Sequence, residues 1–122
     1  MPPQDLPVGL PTRLWVVLTT LPDVPTAQAI ARTLVHAHLA ACAQVLPPMT
    51  TIYVWENQLQ EETEVLLLLK TTAGTYPALA QRLQELHPYT TPQILAIAAQ
   101  DVHPPYAQWL QAWVGALPEP PR

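Results

Sequence analysis

Charge is what this chain has least of. Only 11% of its 122 residues are Asp, Glu, Lys or Arg, against about 25% in an average protein. Lysine occurs once, at Lys70, and five basic residues in all leave a formal net charge of −4. No basic patch can be assembled from that set, which excludes an electrostatic nucleic-acid binder. Cysteine also occurs once, at Cys42. An internal disulfide is excluded, and a reducing compartment fits. No run of about 18 apolar residues exists, so a membrane-spanning helix is not expected. Met1–Pro11 has neither the positive start nor the apolar centre of a signal peptide. A cytoplasmic protein is therefore expected. Asparagine occurs once, at Asn57, and glycine three times, against 16 prolines. Stiff loops and a single asparagine point to a thermostable protein.

What is present is apolar. Hydrophobic residues make up 49% of the chain, and so few charges cannot cover a monomer of this size. An oligomer with large buried interfaces follows. Glu64–Thr72 carries five consecutive apolar residues, Val65 to Leu69, between one acid and one base. That length suits a strand better than a helix. Alternation sends Val65, Leu67 and Leu69 to one face and Leu66 and Leu68 to the other, so both faces need cover.

The rest arranges itself around that strand. Leu14–Thr20 reads as a second buried strand. Asp23, with Thr26 as competitor, caps a helix whose inner face is Ala27, Ile30, Ala31, Leu34 and His38. Cys42–Leu46 and Met49–Gln58 read as one edge strand bent at Pro47-Pro48. Leu59–Glu62 reads as a polar turn returning the chain to Glu64. Thr75 is expected to cap a second helix with Tyr76, Leu79, Ala80, Leu83, Leu86 and His87 on one face. Ile94–Ala99 reads as the fourth strand. Pro104-Pro105 opens a third helix with a stripe of Tyr106, Trp109, Leu110, Trp113 and Leu117.

The order β-α-β-β-α-β plus a C-terminal helix predicts an α+β, ferredoxin-like fold. Right-handed crossovers put both main helices on one face of a four-stranded antiparallel sheet, order 4-1-3-2. The expected domain spans residues 13–117, after a disordered lead-in over 1–12 and before a loose tail over 118–122. Packing of subunit on subunit is the simplest cover for the second face.

Four motifs in order carry a family resemblance: Leu39-Ala40-Ala41-Cys42; Ile52-Tyr53-Val54-Trp55-Glu56; Glu64 with its leucines and Lys70-Thr71-Thr72; and His87-Pro88-Tyr89-Thr90-Thr91-Pro92-Gln93-Ile94. Together they resemble the CutA family of divalent-cation tolerance proteins over about Leu14 to Val114. The resemblance implies a homotrimer with sheets packed together as in the PII signalling proteins, and a hairpin reaching a neighbour. It implies no enzymatic activity and no required cofactor, with a response to metal ions and copper binding. The copper ligands ascribed to some members, a cysteine and two adjacent histidines, fall at Thr19, Leu86 and His87, so only His87 matches. Copper(II) wants several nitrogen or oxygen ligands.

Each candidate has two readings. His87, at a helix end before Pro88, either serves the last carbonyls of the helix or ligates metal. Cys42 is either a small buried hydrophobe or a metal-binding thiol near His38. His36 and His38 lie about 200° apart on a helix and cannot share a metal. His103 lies in a loop before Pro104. Tyr53, Trp55, Glu64, Lys70 and Tyr89 either lock subunits together or line an inter-subunit cleft. There a small effector would sit, with Lys70 as phosphate partner. Glu61, Glu62 and Glu64 form either a solvated turn or a weak site for hard cations. Two functions compete: divalent-metal handling by a homotrimer, and a PII-like regulator whose effector alters binding of a partner protein. An acylphosphatase-like enzyme would need an arginine-bearing phosphate loop after the first strand. Leu21-Pro22-Asp23-Val24-Pro25 has neither arginine nor glycine.

Overall fold

The computed structural model describes residues 13–115. The expected lead-in over 1–12, the tail over 118–122 and Leu117 lie outside the described residues. The elements run β1 (Leu14–Leu21), α1 (Val24–His36), β2 (Cys42–Val45), β3 (Met49–Trp55), β4 (Gln58–Thr72), α2 (Tyr76–Leu86), β5 (Leu95–Ala98) and α3 (Pro104–Trp113). This is an α+β fold whose strand pairs are all antiparallel. The path β2-β4-β1-β5 is the expected strand order, with β4 and β1 in the middle.

Two expectations need correction. The bent edge strand is two strands, so the sheet has five strands rather than four. β2 pairs with Leu67–Lys70, and β3 pairs with Gln58–Glu64. Pro47-Pro48 lies between them, where missing N–H donors stop one continuous ladder. The turn is also misplaced by the sequence reading. Trp55 pairs with Gln58, so the hairpin closes on Glu56-Asn57, and both residues have positive φ, 51° and 64°. That is the backbone of a two-residue type I′ turn, whose twist matches the strands it joins. Leu59–Glu62 is therefore strand, and β4 extends for 15 residues.

Asp23 caps α1 as expected, its Oδ1 accepting from the Thr26 N–H at 2.8 Å. Ala27, Ile30, Ala31 and Leu34 are buried. The helix ends before His38, which takes φ 64°. Thr75 stands at the N-cap of α2, but its side chain makes no capping bond there. The core lies between α1, α2 and one face of the sheet. Val17 and Leu21 of β1 and Val65, Leu67 and Leu69 of β4 meet Leu34, Leu79 and Leu83. Each such side chain contributes about 1.5–3 kcal/mol by leaving water.

The opposite face holds Val16, Leu18, Leu66 and Leu68, all half-buried. Register extends it to Leu95 and Ile97, which are 51% and 53% exposed. Helix α3 covers one end only. There Ala107, Leu110 and Val114 pack with Leu14 and Ala41. Of the expected stripe on α3, Leu110 is buried within the chain, whereas Tyr106, Trp109 and Trp113 are exposed on it, and the small Ala107 allows the close approach. Gly115, at φ +82°, gives its N–H to the His38 carbonyl at 3.0 Å and fixes the end of α3 against α1.

The hairpin turn generates a stability prediction. Glutamate in the left-handed region costs about 1 kcal/mol. The double change Glu56→Asn with Asn57→Gly should recover about that amount. It would be read as a higher guanidinium midpoint at fixed protein concentration; an unchanged or lower midpoint would refute the turn assignment.

Candidate functional site

The register of the β3–β4 hairpin sorts its side chains. Met49, Thr51, Tyr53 and Trp55 pair with Glu64, Glu62, Gln60 and Gln58, so all eight share one face. The other face carries Ile52, Val54 and Leu59, at 61%, 65% and 75% exposure. Most of β3 and the first half of β4 project beyond the four-strand body, since β1 and β2 pair only with β4 residues from Val65 onward.

Two carboxylates and two phenols gather on the first face. Glu64 is buried, only 6% exposed. Its Oε2 accepts a hydrogen bond from the Tyr89 hydroxyl at 2.9 Å. Tyr89 stands in the bend that follows α2. Burial, then the Glu64 carboxylate, pushes the Tyr89 phenol far above its ordinary value. Tyr53 is likewise raised, first by hydrogen bonding with Glu62 and then by desolvation. Both phenols therefore stay protonated at neutral pH, and Tyr89 donates to the Glu64 carboxylate. The Thr51 hydroxyl, directly opposite Glu62, is buried without a hydrogen-bond partner among the described residues. Trp55 flanks the group at 52% exposure.

His87 sits behind this cluster. Its Nδ1 accepts from the Tyr89 N–H at 3.1 Å. Its Nε2 lies 3.0 Å from the Thr20 carbonyl and 3.1 Å from the Thr19 hydroxyl. A carbonyl only accepts, so Nε2 carries the proton and both ring nitrogens are committed. Burial lowers its pKa; the Thr20 carbonyl and the Glu64 charge oppose that shift. The ring also packs against Tyr89, with centroids 4.9 Å apart. His87 thus serves neither the carbonyls of α2 nor an open ligand position. It orients Tyr89 toward Glu64.

The remaining candidates lie elsewhere. Lys70 shares the Glu64 face of β4, but six residues along, about 20 Å away. Its Nζ donates to Gln44 Oε1 at 2.8 Å. Cys42 pairs with Lys70 across the β2–β4 ladder and lies beside Tyr106, whose phenol is raised by burial and then by the thiol. Cys42 and His87 are therefore not brought together. His38 is not on the thiol: its Nδ1–H donates to the Trp113 carbonyl at 2.9 Å, and its ring stacks on Trp113 at 3.6 Å. His36 is exposed, and His103 precedes α3 without a side-chain cap. Among the described residues, no three of His, Cys, Asp and Glu group as a metal site. Thr19 and His87 do meet, but a hydroxyl and an imidazole with both nitrogens engaged do not fit copper. Sequence reading missed the Tyr89–Glu64 bond and the Thr19–His87 contact. The spacing of these residues carries no signal, because loop geometry alone joins them.

Two stability predictions follow from this network. Tyr89→Phe leaves the buried Glu64 carboxylate without that donor and should cost about 1–3 kcal/mol in chemical denaturation. His87 titrates at a lower pH folded than unfolded, where its value is 6.5. The unfolded chain then binds more protons in that window. Stability contributed by neutral His87 is full above about pH 6.5 and declines as pH falls below it. Denaturation midpoints from pH 8 to 5 should fall less steeply in His87→Gln than in the parent; equal slopes would remove His87 from the network.

The comparisons with known proteins match this chain throughout the described body. The family model described as "CutA1 divalent ion tolerance protein" matches residues 15–113. The divalent-cation tolerance protein CutA of Thermus thermophilus is 42% identical over 100 residues, covering 82% of this chain and 97% of the relative. Mouse protein CutA is 33% identical over 109 residues, 89% of this chain, and the match spans 62% of the mouse protein. The solved structure of the divalent cation tolerance protein Cut A1 from Thermus thermophilus superposes with a TM-score of 0.81 at 41% identity. That superposition covers 84% of this chain and 99% of the other. No helix among the described residues is long and apolar enough to cross a membrane. A match over nearly the whole described chain, in sequence and in fold, makes it a member of the CutA1 divalent ion tolerance family.

Proposed function

We propose that the chain acts, without catalysing a reaction, as a homotrimeric divalent-cation tolerance protein. In this reading it takes up divalent metal weakly at the Glu62–Glu64 face of the hairpin. The observation that carries the metal site is the pair of carboxylates, Glu62 and Glu64, on one hairpin face, Glu64 held by Tyr89, with the Thr51 hydroxyl opposite Glu62 unpartnered among the described residues. Carboxylates and hydroxyls are oxygen donors, which suit manganese-like cations best and accept copper(II) as well. The projecting hairpin and the half-open apolar sheet face support the trimer. Val16, Leu18, Leu66, Leu68, Leu95 and Ile97 are too extensive a strip to remain in water. In the trimer, Trp55 and Tyr53 would meet a neighbour and close the site. His87 contributes by holding Tyr89 rather than by ligating.

A second reading rests on Lys70. The one lysine of the chain lies on the half-open sheet face with only Gln44 as described hydrogen-bond partner. It would meet the phosphate of a small effector in a cleft between subunits, as in PII-like regulation.

Native mass spectrometry with and without copper(II) or manganese(II) tests both. The expected result is a trimer that gains a fixed number of metal ions, lost in Glu64→Gln. Retention of metal by Glu64→Gln with loss in His87→Ala would move the site to the imidazole. A trimer that takes up neither metal, yet binds a nucleotide in a Lys70-dependent way, would favour the second reading. A monomer would overturn the assembly.

A further inference from the structure

A groove of about 830 Å³ lies away from the hairpin, between the second half of α1 and strand β2. Ala31, Arg32, Val35 and His36 form its helix wall; Ala41 to Ala43 and Trp113 form the other. The groove is open to solvent and mostly apolar, with a few placed polar groups, the make-up of small-molecule sites. Two features give this one a definite chemistry. Arg32 and His36 stand four apart on α1, hence on one face. Both are exposed, and neither has an ion pair or hydrogen bond among the described residues. Their positive charge at the groove is therefore not neutralised by a carboxylate of the described residues. Arg82, by contrast, is bridged to Glu85 at 3.1 Å.

The aromatic wall is fixed in place. Trp113 donates its Nε1–H to the Val35 carbonyl at 2.8 Å and is stacked by His38. The indole therefore cannot fold into the groove to fill it. The floor is made of alanines and the edge of β2, which offer little bulk.

We propose that this groove binds a small organic anion: a flat or aliphatic body against Trp113, Ala31 and Ala43, with its anionic head on Arg32 and His36. A guanidinium holds a carboxylate, sulfonate or phosphate through paired N–H donors. The site is independent of the metal face, since β2 pairs with the Leu67–Lys70 end of β4 and Glu64 lies toward the other end.

The test uses the full chain in its native assembly and 1-anilinonaphthalene-8-sulfonate, an aromatic sulfonate, as probe. Fluorescence titration should saturate at one probe per chain. Arg32→Gln, an exposed substitution that leaves the core intact, should weaken binding about tenfold or more. Amide shifts in a ¹⁵N spectrum should centre on residues 31–36 and 41–43. Binding that is unchanged in Arg32→Gln, or shifts centred on the sheet face or hairpin, would overturn the proposal. So would absence of saturable binding, the result expected if a second copy of the chain fills the groove.

Discussion

The structure depends on one strand serving three partners. β4 runs from Gln58 to Thr72 and pairs with β3 along its first half and with β1 and β2 on either side of its second. Its second half must be apolar on both faces because it is central to the sheet. Its first half has no such constraint and carries Gln60, Glu61 and Glu62. The change of character falls at Glu64-Val65, where the four-strand body begins. Glu64 is therefore the last acid before the core, and it is buried there. Burying a carboxylate is costly unless it is hydrogen-bonded. Tyr89 meets that requirement, and His87 holds Tyr89.

This makes the candidate site a consequence of the fold rather than an addition to it. The segment after α2 must return to the sheet to form β5, and Pro88 and Pro92 stiffen the path. On the way it places His87 against the end of β1 and Tyr89 against β4. The same contacts that close the helix–sheet layer thus organise the carboxylate face. A ligand drawing on Glu64 would have to compete with the Tyr89 hydroxyl, which agrees with weak rather than tight metal uptake.

Much of this was legible in the sequence, and the failures have physical causes. The periodicity of Val65–Leu69 and of Ala27–Leu34 placed the central strand and the first helix, because burial imposes those patterns. Asp23 was readable as a cap because its chemistry is local. The hairpin turn was not: Glu56-Asn57 lacks the glycine that marks a type I′ turn, and the polar run that followed imitated a loop. The bent edge strand failed because Pro47-Pro48 allows either a bulge or a break, and only pairing with β4 decides between them. On α3 the periodicity marked an apolar stripe without saying what covers it, and within the chain the sheet end takes Ala107, Leu110 and Val114 rather than the large aromatics. The candidate residues Tyr53, Trp55, Glu64 and Tyr89 do share one side of the hairpin, while Lys70 and Cys42 lie at the other end of β4.

His87 shows how a side chain's neighbours narrow what its sequence position leaves open. Its place before Pro88 suggested service to the last helix carbonyls, and its match to a family position suggested a ligand. Its neighbours assign another task. With a threonine on one side and leucine at the preceding position, the imidazole has no second soft donor beside it among the described residues. It has instead a carbonyl to donate to and a backbone N–H to accept from. Those two bonds fix its neutral tautomer and aim Tyr89 at Glu64. In the proposed reading, metal uptake therefore rests on oxygen donors, and the histidine acts through the geometry that it imposes on them.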